Sequence, residues 1–498
     1  MRVSIGRSMF YFRQSTHDDQ GGSAVTTHDE RPRERVDDLL AHMGEDLERG
    51  MVPAEVFNDK SVYRRELRQI FGRCWVYIGH VSEIPNNGDY HVRRIGEDPF
   101  IFVRDEEGEI RVMLNSCRHR GSTVCRTDAG NTSHFRCPYH AWTYKNDGTL
   151  VGVPARPSGY RQLDLGQWSM ISAAQVDTFR GLVFATLDPD APALEDYLGK
   201  FRWYLDMQFA LTEGGMEVIG EPHRWYIDAD WKSGGENFTG DSSHTQMTHR
   251  SLLETGIASE AGAGKTGKAH GLHVNDCDGH AISMRVMPPG VESCFNYPPE
   301  MQELFTEGGL SEAQLDLVRR GVVHDGTVFP NLSFIHFSAK DDVEKEETAF
   351  LSIRTWQPRG PGRMEVWNWT LAPAEASQEF KEKAYRAGMA SFSPSGTFEQ
   401  DDAIVWTGVA RTGGTLTAEL QDLRFNYQMG MPGMGSAEPI EDWPGPGVAW
   451  PSNSGESGLR TFHRKWFAHM TALPRASRPS SAAAGSTSAS TSAGEGAS

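Results

Sequence analysis

Two short pairs of metal ligands, Cys117-x-His119 and Cys137-x-x-His140, stand seventeen residues apart (120–136) in the stretch CRHRGSTVCRTDAGNTSHFRCPYHAWTY. Each pair offers one thiolate and one imidazole, so the chain has to bring two loops together around one metal centre. A [2Fe–2S] cluster with both sulfurs on one iron and both imidazoles on the other needs this set. Structural zinc also takes Cys₂His₂, but a zinc finger usually presents both cysteines before both histidines. The alternating order favours iron and sulfide over zinc.

The flanking sequence places these loops at the tips of a small antiparallel β domain. Phe100–Val103 and Ile110–Leu114 are apolar runs on either side of Asp105-Glu-Glu-Gly108, a hairpin signature, and the turn Asn146-Asp147-Gly148 follows the second ligand pair. Residues 181–187 (GLVFATL) read as a further strand, closed by the turn chemistry of Asp188-Pro-Asp-Ala-Pro192. Upstream, helical spacing relates Val36, Leu39 and Leu40, and again Leu67, Ile70 and Phe71. Downstream, the capping box Ser311-x-x-Gln314 opens one helix and 374–389 is a second helical run. Strands are expected at 332–337, 349–356 and 364–371. Strands grouped in this way predict an α+β fold, with an antiparallel sheet flanked by helices gathered on one face. The expected division is a disordered tail at 1–34, a helical segment at 35–73 packed on the second domain, an iron–sulfur domain at 74–194, a second domain at 195–474, and a disordered Ser/Ala/Gly-rich tail at 475–498.

A formal charge of −18 repels a phosphate backbone, which argues against a nucleic-acid partner. The sequence has neither an apolar run of membrane-spanning length nor the hydrophobic core of a signal peptide, so a cytoplasmic location is expected and no membrane partner. Six cysteines fit a reducing compartment, and Cys74, Cys125, Cys277 and Cys294 are expected to be buried small hydrophobes.

A second polar cluster lies in WKSGGENFTGDSSHTQMTHRSLL (231–253), which carries Asn237, Asp241, His244 and His249. On a helix, Asn237 with Asp241 and Asp241 with His244 would share a face. His244 and His249 would then stand about 140° apart, so binding one ion requires a break between them. Two histidines with one carboxylate make the facial triad that leaves positions open for oxygen. Downstream acids occur in FSPSGTFEQDDAIVW, where Glu399, Asp401 and Asp402 also suit the exposed acidic start of a helix.

Together the two motifs resemble those of the Rieske non-haem iron oxygenases, specifically the large subunits of aromatic ring-hydroxylating dioxygenases. The resemblance runs from about residue 35 to 473 and includes NYQMGMP at 426–432 and the closing GLRTFHRKWFAHM. Respiratory Rieske proteins carry an extra cysteine in each loop, joined as a disulfide; here Tyr139 stands two residues after Cys137, and only Cys125 is spare in the first loop. The resemblance implies a Rieske [2Fe–2S] cluster on Cys117, His119, Cys137 and His140. It also implies one mononuclear Fe(II) on His244, His249 and Asp402, with Asp401 as the nearest competitor for the carboxylate position. Asp241 matches the aspartate that links a Rieske histidine, here His140, to an iron-ligand histidine, here His244, in the neighbouring subunit. Asn237, Phe238, Phe392 and Phe398 match positions near the iron, with Phe398 replacing a tryptophan of some relatives.

The implied reaction adds both atoms of O₂ to an aromatic hydrocarbon or aromatic acid, giving a cis-dihydrodiol. No flavin or nicotinamide signature is evident, so electrons from NAD(P)H would arrive through a reductase and a ferredoxin, and the large subunits would assemble with small (β) subunits as α₃β₃. Within the class, a Rieske monooxygenase or demethylase is the alternative. From other classes, a Rieske electron carrier leaves residues 195–474 without a purpose, and a zinc-stabilised binding protein is the second rival.

Overall fold

The computed structural model describes residues 30–473, except 257–268, 276–277, 307–308, 343–345, 436–437 and 453–454. Cys277, residues 1–29 and the expected C-terminal tail lie outside these. The first helix runs Glu30–Glu48 and so begins within the stretch expected to be unstructured. Glu and Arg are strong helix formers, so charge without apolar periodicity did not end the helix. Among the described residues no helix is long and apolar enough to cross a membrane.

The expected hairpin pairs Asp98–Arg104 with Ile110–Leu114, from Phe100↔Leu114 to Arg104↔Ile110. Its turn is closed by Asp105, whose Oδ1 accepts from the backbone N–H groups of Glu107 and Glu109, each at 2.9 Å. This hairpin belongs to a four-stranded sheet with Asp89–Ile95 and Ala129–Asn131. Two three-stranded sheets flank it, one built from His134–Arg136, Thr143–Lys145 and Leu150–Gly152, the other from Gln175–Phe179, Leu182–Thr186 and Val76–His80. In the last of these Val76 pairs with Ala185, and Thr186 Oγ1 donates to the Arg73 carbonyl at 3.4 Å, so the chain enters and leaves this region side by side.

Beyond it, eight strands form one antiparallel sheet in the spatial order Met216–Ile227, Met364–Pro373, Thr348–Pro358, Leu332–Ala339, Gly321–Val328, Ala281–Val286, His270–Asn275 and Val448–Pro451. Helices cover both faces, not one. Arg202–Phe209 and Glu312–Arg320 pack through Leu205, Phe209, Leu317 and Val318 on one side. Gln378–Phe392 packs through Ala384, Ala387 and Phe392 on the other. The cause is the sheet itself: every residue of Met364–Pro373 is buried, so neither face can be left to water.

The helix Lys60–Glu66, capped by Asp59, joins this second body through a buried charged knot. Lys232 Nζ lies 2.6 Å from both Glu66 Oε1 and Asp230 Oδ1, and all three residues are buried. Trp466 Nε1 (2.7 Å) and Trp231 Nε1 (3.1 Å) donate to the two Glu66 oxygens. One ammonium between two carboxylates leaves a net charge inside, and the indole donors satisfy the remaining lone pairs.

Candidate metal centres and active site

The two Cys/His loops are folded by their own backbones. Cys117 N donates to Ser122 O (2.8 Å) and Cys137 N to Trp142 O (2.8 Å), each turning a cysteine inward with its histidine alongside. Asn115 ties the first loop down, accepting from Cys125 N (2.8 Å) and donating to Cys125 O (2.8 Å). As a result the Nδ1 atoms of His119 and His140 stand 3.1 Å apart, and both thiols are buried. Burial pushes both thiols up; at Cys137 the backbone N–H groups of Tyr139 and His140 outweigh it and bring the thiol below its ordinary range. Two converging imidazole nitrogens with two buried sulfurs, one already disposed to ionise, fit a [2Fe–2S] cluster.

Around this donor set, Trp142 stacks on His119 at 4.9 Å and 10°. The Tyr160 hydroxyl lies 3.3 Å from His119 Nε2. Tyr144 accepts from Arg118 N (3.1 Å), which leaves its O–H to donate to Cys117 Sγ at 3.3 Å. His140 Nε2 has no hydrogen-bond partner among the described residues, and its ring is only partly covered, by Tyr139 at 3.7 Å.

The second cluster forms where a helix stops. Asp230 caps Trp231–Asn237, and the chain then leaves helical geometry through Gly240 at φ +122°, with His244 and His249 at the two ends of the single turn Thr245–Thr248. The phase problem of a continuous helix therefore does not arise. Asn237 is the last residue of that helix and Asp241 lies beyond it, although Asp241 N still donates to the Asn237 carbonyl at 3.2 Å.

The carboxylate comes from the helix Thr397–Gly413. Gly396 precedes it, where a Cβ would collide with the Ser391 carbonyl, so the chain can reverse sharply out of the preceding helix. Asp402 Oδ1 lies 3.3 Å from His249 Nε2 and 3.6 Å from His244 Nε2. These three could hold a single metal ion, one ligand atom from each lying within 4.8 Å of the others. Each histidine presents its other nitrogen to an acid: His249 Nδ1 is 3.3 Å from Asp401 Oδ2, and His244 Nδ1 is 3.5 Å from Asp241 Oδ2 and bonded to the Asp241 carbonyl. Burial opposes a charge on His244, but Asp241 and Asp402 outweigh it and hold the imidazole up at about 9. The cluster attracts positive charge, and a divalent cation on the three facing atoms meets the same need.

Phe398 lies 5.0 Å from His249, Phe392 lies 5.6 Å from Phe398, and Phe337 closes the wall 5.8 Å from Phe398. Phe238 is buried against Trp356 at 5.7 Å. Glu399 is not an exposed acid of a helix start. It is 2% exposed and paired with the fully buried Arg354 at 2.8 Å, which fixes the helix to the sheet three residues before Asp402. Arg354 is the residue that sequence reasoning missed. An arginine inside the apolar strand LSIRTWQP was the available signal, because a buried arginine needs an acid.

Residues 74–178 match the Rieske [2Fe-2S] domain family and residues 194–472 the family described as ring hydroxylating alpha subunit (catalytic domain). The chain is 37% identical over 435 residues to the N,N-dimethyl phenylurea N-demethylase subunit alpha of Sphingobium sp., covering 86% of this chain and 94% of that one. It is 36% identical over 417 residues to the biphenyl dioxygenase subunit alpha of Paraburkholderia xenovorans, covering 80% and 87%. Its fold superimposes on naphthalene 1,2-dioxygenase from Rhodococcus sp., solved with indole, with a TM-score of 0.80 and 42% identity over 88% of this chain and 98% of that one. The chain belongs to the ring-hydroxylating alpha-subunit family, with a Rieske [2Fe–2S] domain ahead of a mononuclear-iron catalytic domain.

Proposed function

We propose that the chain is the oxygenase large subunit that adds both atoms of O₂ to an aromatic ring, with two electrons and two protons, to give a cis-dihydrodiol. Cys117, His119, Cys137 and His140 would hold the [2Fe–2S] cluster, and His244, His249 and Asp402 the Fe(II). The cluster supplies single-electron transfer and the iron supplies dioxygen activation.

The observation that carries this reading is the wall of Phe337, Phe392 and Phe398 set directly against His249. Such a wall excludes water and holds a flat apolar ring beside the metal ligands, which is positioning without coordination. Asp241 and Asp401 fix which nitrogen of each histidine carries the proton, so that both Nε2 lone pairs face Asp402. Asp241 keeps 29% of its side chain exposed, and His140 Nε2 has no hydrogen-bond partner among the described residues. These two facts support a bond from His140 of the partner subunit to Asp241, hence an assembly of several large subunits. Small subunits in an α₃β₃ arrangement, a ferredoxin and an NAD(P)H-dependent reductase complete the system.

The 37% identity to a subunit named as an N-demethylase favours a second reading, oxidative demethylation with one oxygen atom leaving as water. Conversion under ¹⁸O₂ by cells carrying the full system, with mono- to tetracyclic arenes and N-methylated aryl compounds, separates the two. A cis-diol with both oxygens from one O₂ supports dihydroxylation; formaldehyde and a dealkylated product without any diol replace it with demethylation.

A further inference from the structure

One acid of the pocket face has no role in the site described so far. Asp325 sits on Gly321–Val328, directly across from Ser283 on one neighbouring strand and Ile335 on the other. Residues that pair directly across an antiparallel sheet share a face, as do residues two apart on a strand. Ile335 and Val323 both pack with Phe337, Phe392 and Phe398, the aromatic wall at His249. Asp325 therefore continues that wall along the sheet. It keeps accessible area although protein surrounds it on every side, and the charges of His244 and Asp241 act on it.

No ion pair includes Asp325 among the described residues. The charge of Arg285 acts on it without forming an ion pair. The other cation of this face, Arg354, is fully buried, paired with Glu399 and covered by the rings of Phe238, Trp356 and Phe392. Ser283 is the neutral neighbour, and His273 beyond it is held neutral, because burial and the charge of Arg460 bring it down to about 4. Burial likewise pushes the Asp325 carboxyl up to about 7 against the opposing pull of His244, Ser283 and Arg285. Among the described residues the Ser283 hydroxyl is the one side-chain donor that acts on it, and a carboxylate has lone pairs for more, so a ligand that brings a further donor relieves part of the cost of its burial.

We propose that Asp325 is the specificity residue of this pocket, accepting a hydrogen bond from an N–H or O–H group on the aromatic substrate and selecting donor-bearing arenes over plain hydrocarbons and aromatic acids. A site built to bond a donor rejects the isostere lacking it, and a ring carboxylate would meet Asp325, Asp241 and Asp402 with like charge. The inference rests on the aromatic-pocket reading and names its substrate class.

The test uses indole and indene, which differ in one N–H, with benzoate as the anionic arene. Their dissociation constants are measured by calorimetry on the purified iron-loaded holoenzyme without electron donor, so binding is read apart from turnover. Indole should bind about tenfold more tightly than indene, with benzoate weakest. Asp325→Val should bring the indole-to-indene ratio to about one, and Asp325→Asn, which keeps a carbonyl acceptor, should restore part of it. Iron and sulfide content and the melting temperature confirm that each variant is folded. Equal binding of indole and indene by the unaltered protein, or an unchanged ratio in a folded Asp325→Val, overturns the proposal. Product analysis on the same preparation addresses the reaction separately, so a monohydroxylated product with the binding ratio intact defeats dihydroxylation and leaves Asp325 standing.

Discussion

His249 is held from both sides by consecutive acids, Asp401 Oδ2 lying 3.3 Å from its Nδ1 while Asp402 Oδ1 lies 3.3 Å from its Nε2. The two neighbours in sequence thus have opposite duties toward one ring. Asp402→Ala should abolish iron binding at the mononuclear site. Asp401→Ala should weaken it by about 10- to 100-fold, the usual cost of losing the acceptor behind a ligand histidine. Equilibrium dialysis against ferrous iron, with the cluster spectrum as internal control, ranks the two; retention of iron by Asp402→Ala with loss from Asp401→Ala would reverse the assignment.

Asp241→Asn removes the charge facing His244 Nδ1 and replaces one acceptor oxygen with an amide donor. Both metals should remain bound and the cluster should still be reducible, while product formed per reduced cluster in a single turnover falls at least tenfold. A normal yield at a normal rate removes Asp241 from the electron path.

Tyr144→Phe deletes the hydroxyl 3.3 Å from Cys117 Sγ. A donor to a ligand sulfur stabilises the more negative, reduced cluster, so the potential should drop, by about 60 mV if the bond contributes what a hydrogen bond to a charged group usually does. Redox titration of the visible spectrum reads this directly.

Lys232→Met leaves Glu66 and Asp230 buried without their cation. The loss should be about 3–5 kcal/mol of stability. Adding Glu66→Gln and Asp230→Asn should recover a large part, since the penalty lies in the orphaned carboxylates. Urea unfolding of the single and triple variants gives both quantities.

Burial holds several histidines neutral, among them His80 and His469, brought down to about 4, and His324, brought down to about 3, from 6.5. Below pH 6.5 the unfolded chain binds protons that the folded chain refuses, so stability present above that pH is lost as pH falls toward 4. At pH 5 each histidine should cost about 2 kcal/mol. Melting temperature should fall steadily from pH 7 to pH 5, and His324→Gln should flatten the slope.

The ligand pairs were legible because their chemistry is local: Cys117 with His119, and Cys137 with His140, need only a tight loop. Strands were legible for the same reason, and Leu332–Ala339 and Met364–Pro373 extend only two residues beyond their apolar runs. The third ligand was not readable from residues alone. Glu399, Asp401 and Asp402 differ only in where one helix turns them, and that depends on Arg354, which arrives from a separate strand. Asp325 was equally hidden. Neighbouring strand residues point to opposite faces, so the pair His324-Asp325 does not reveal which of them meets the pocket until the strand pairing is known.

The adjacency of Arg73 and Thr186 bears on how the molecule is made. Once residue 186 has left the ribosome, every strand of the iron–sulfur region has its neighbours. The segment just before it has to wait, because Glu66 meets its partner Trp466 only when nearly the whole described chain exists. Emerging protein folds in the order in which its contacts become available. Cluster insertion can therefore be finished on a nascent chain whose oxygen-activating half has not yet closed.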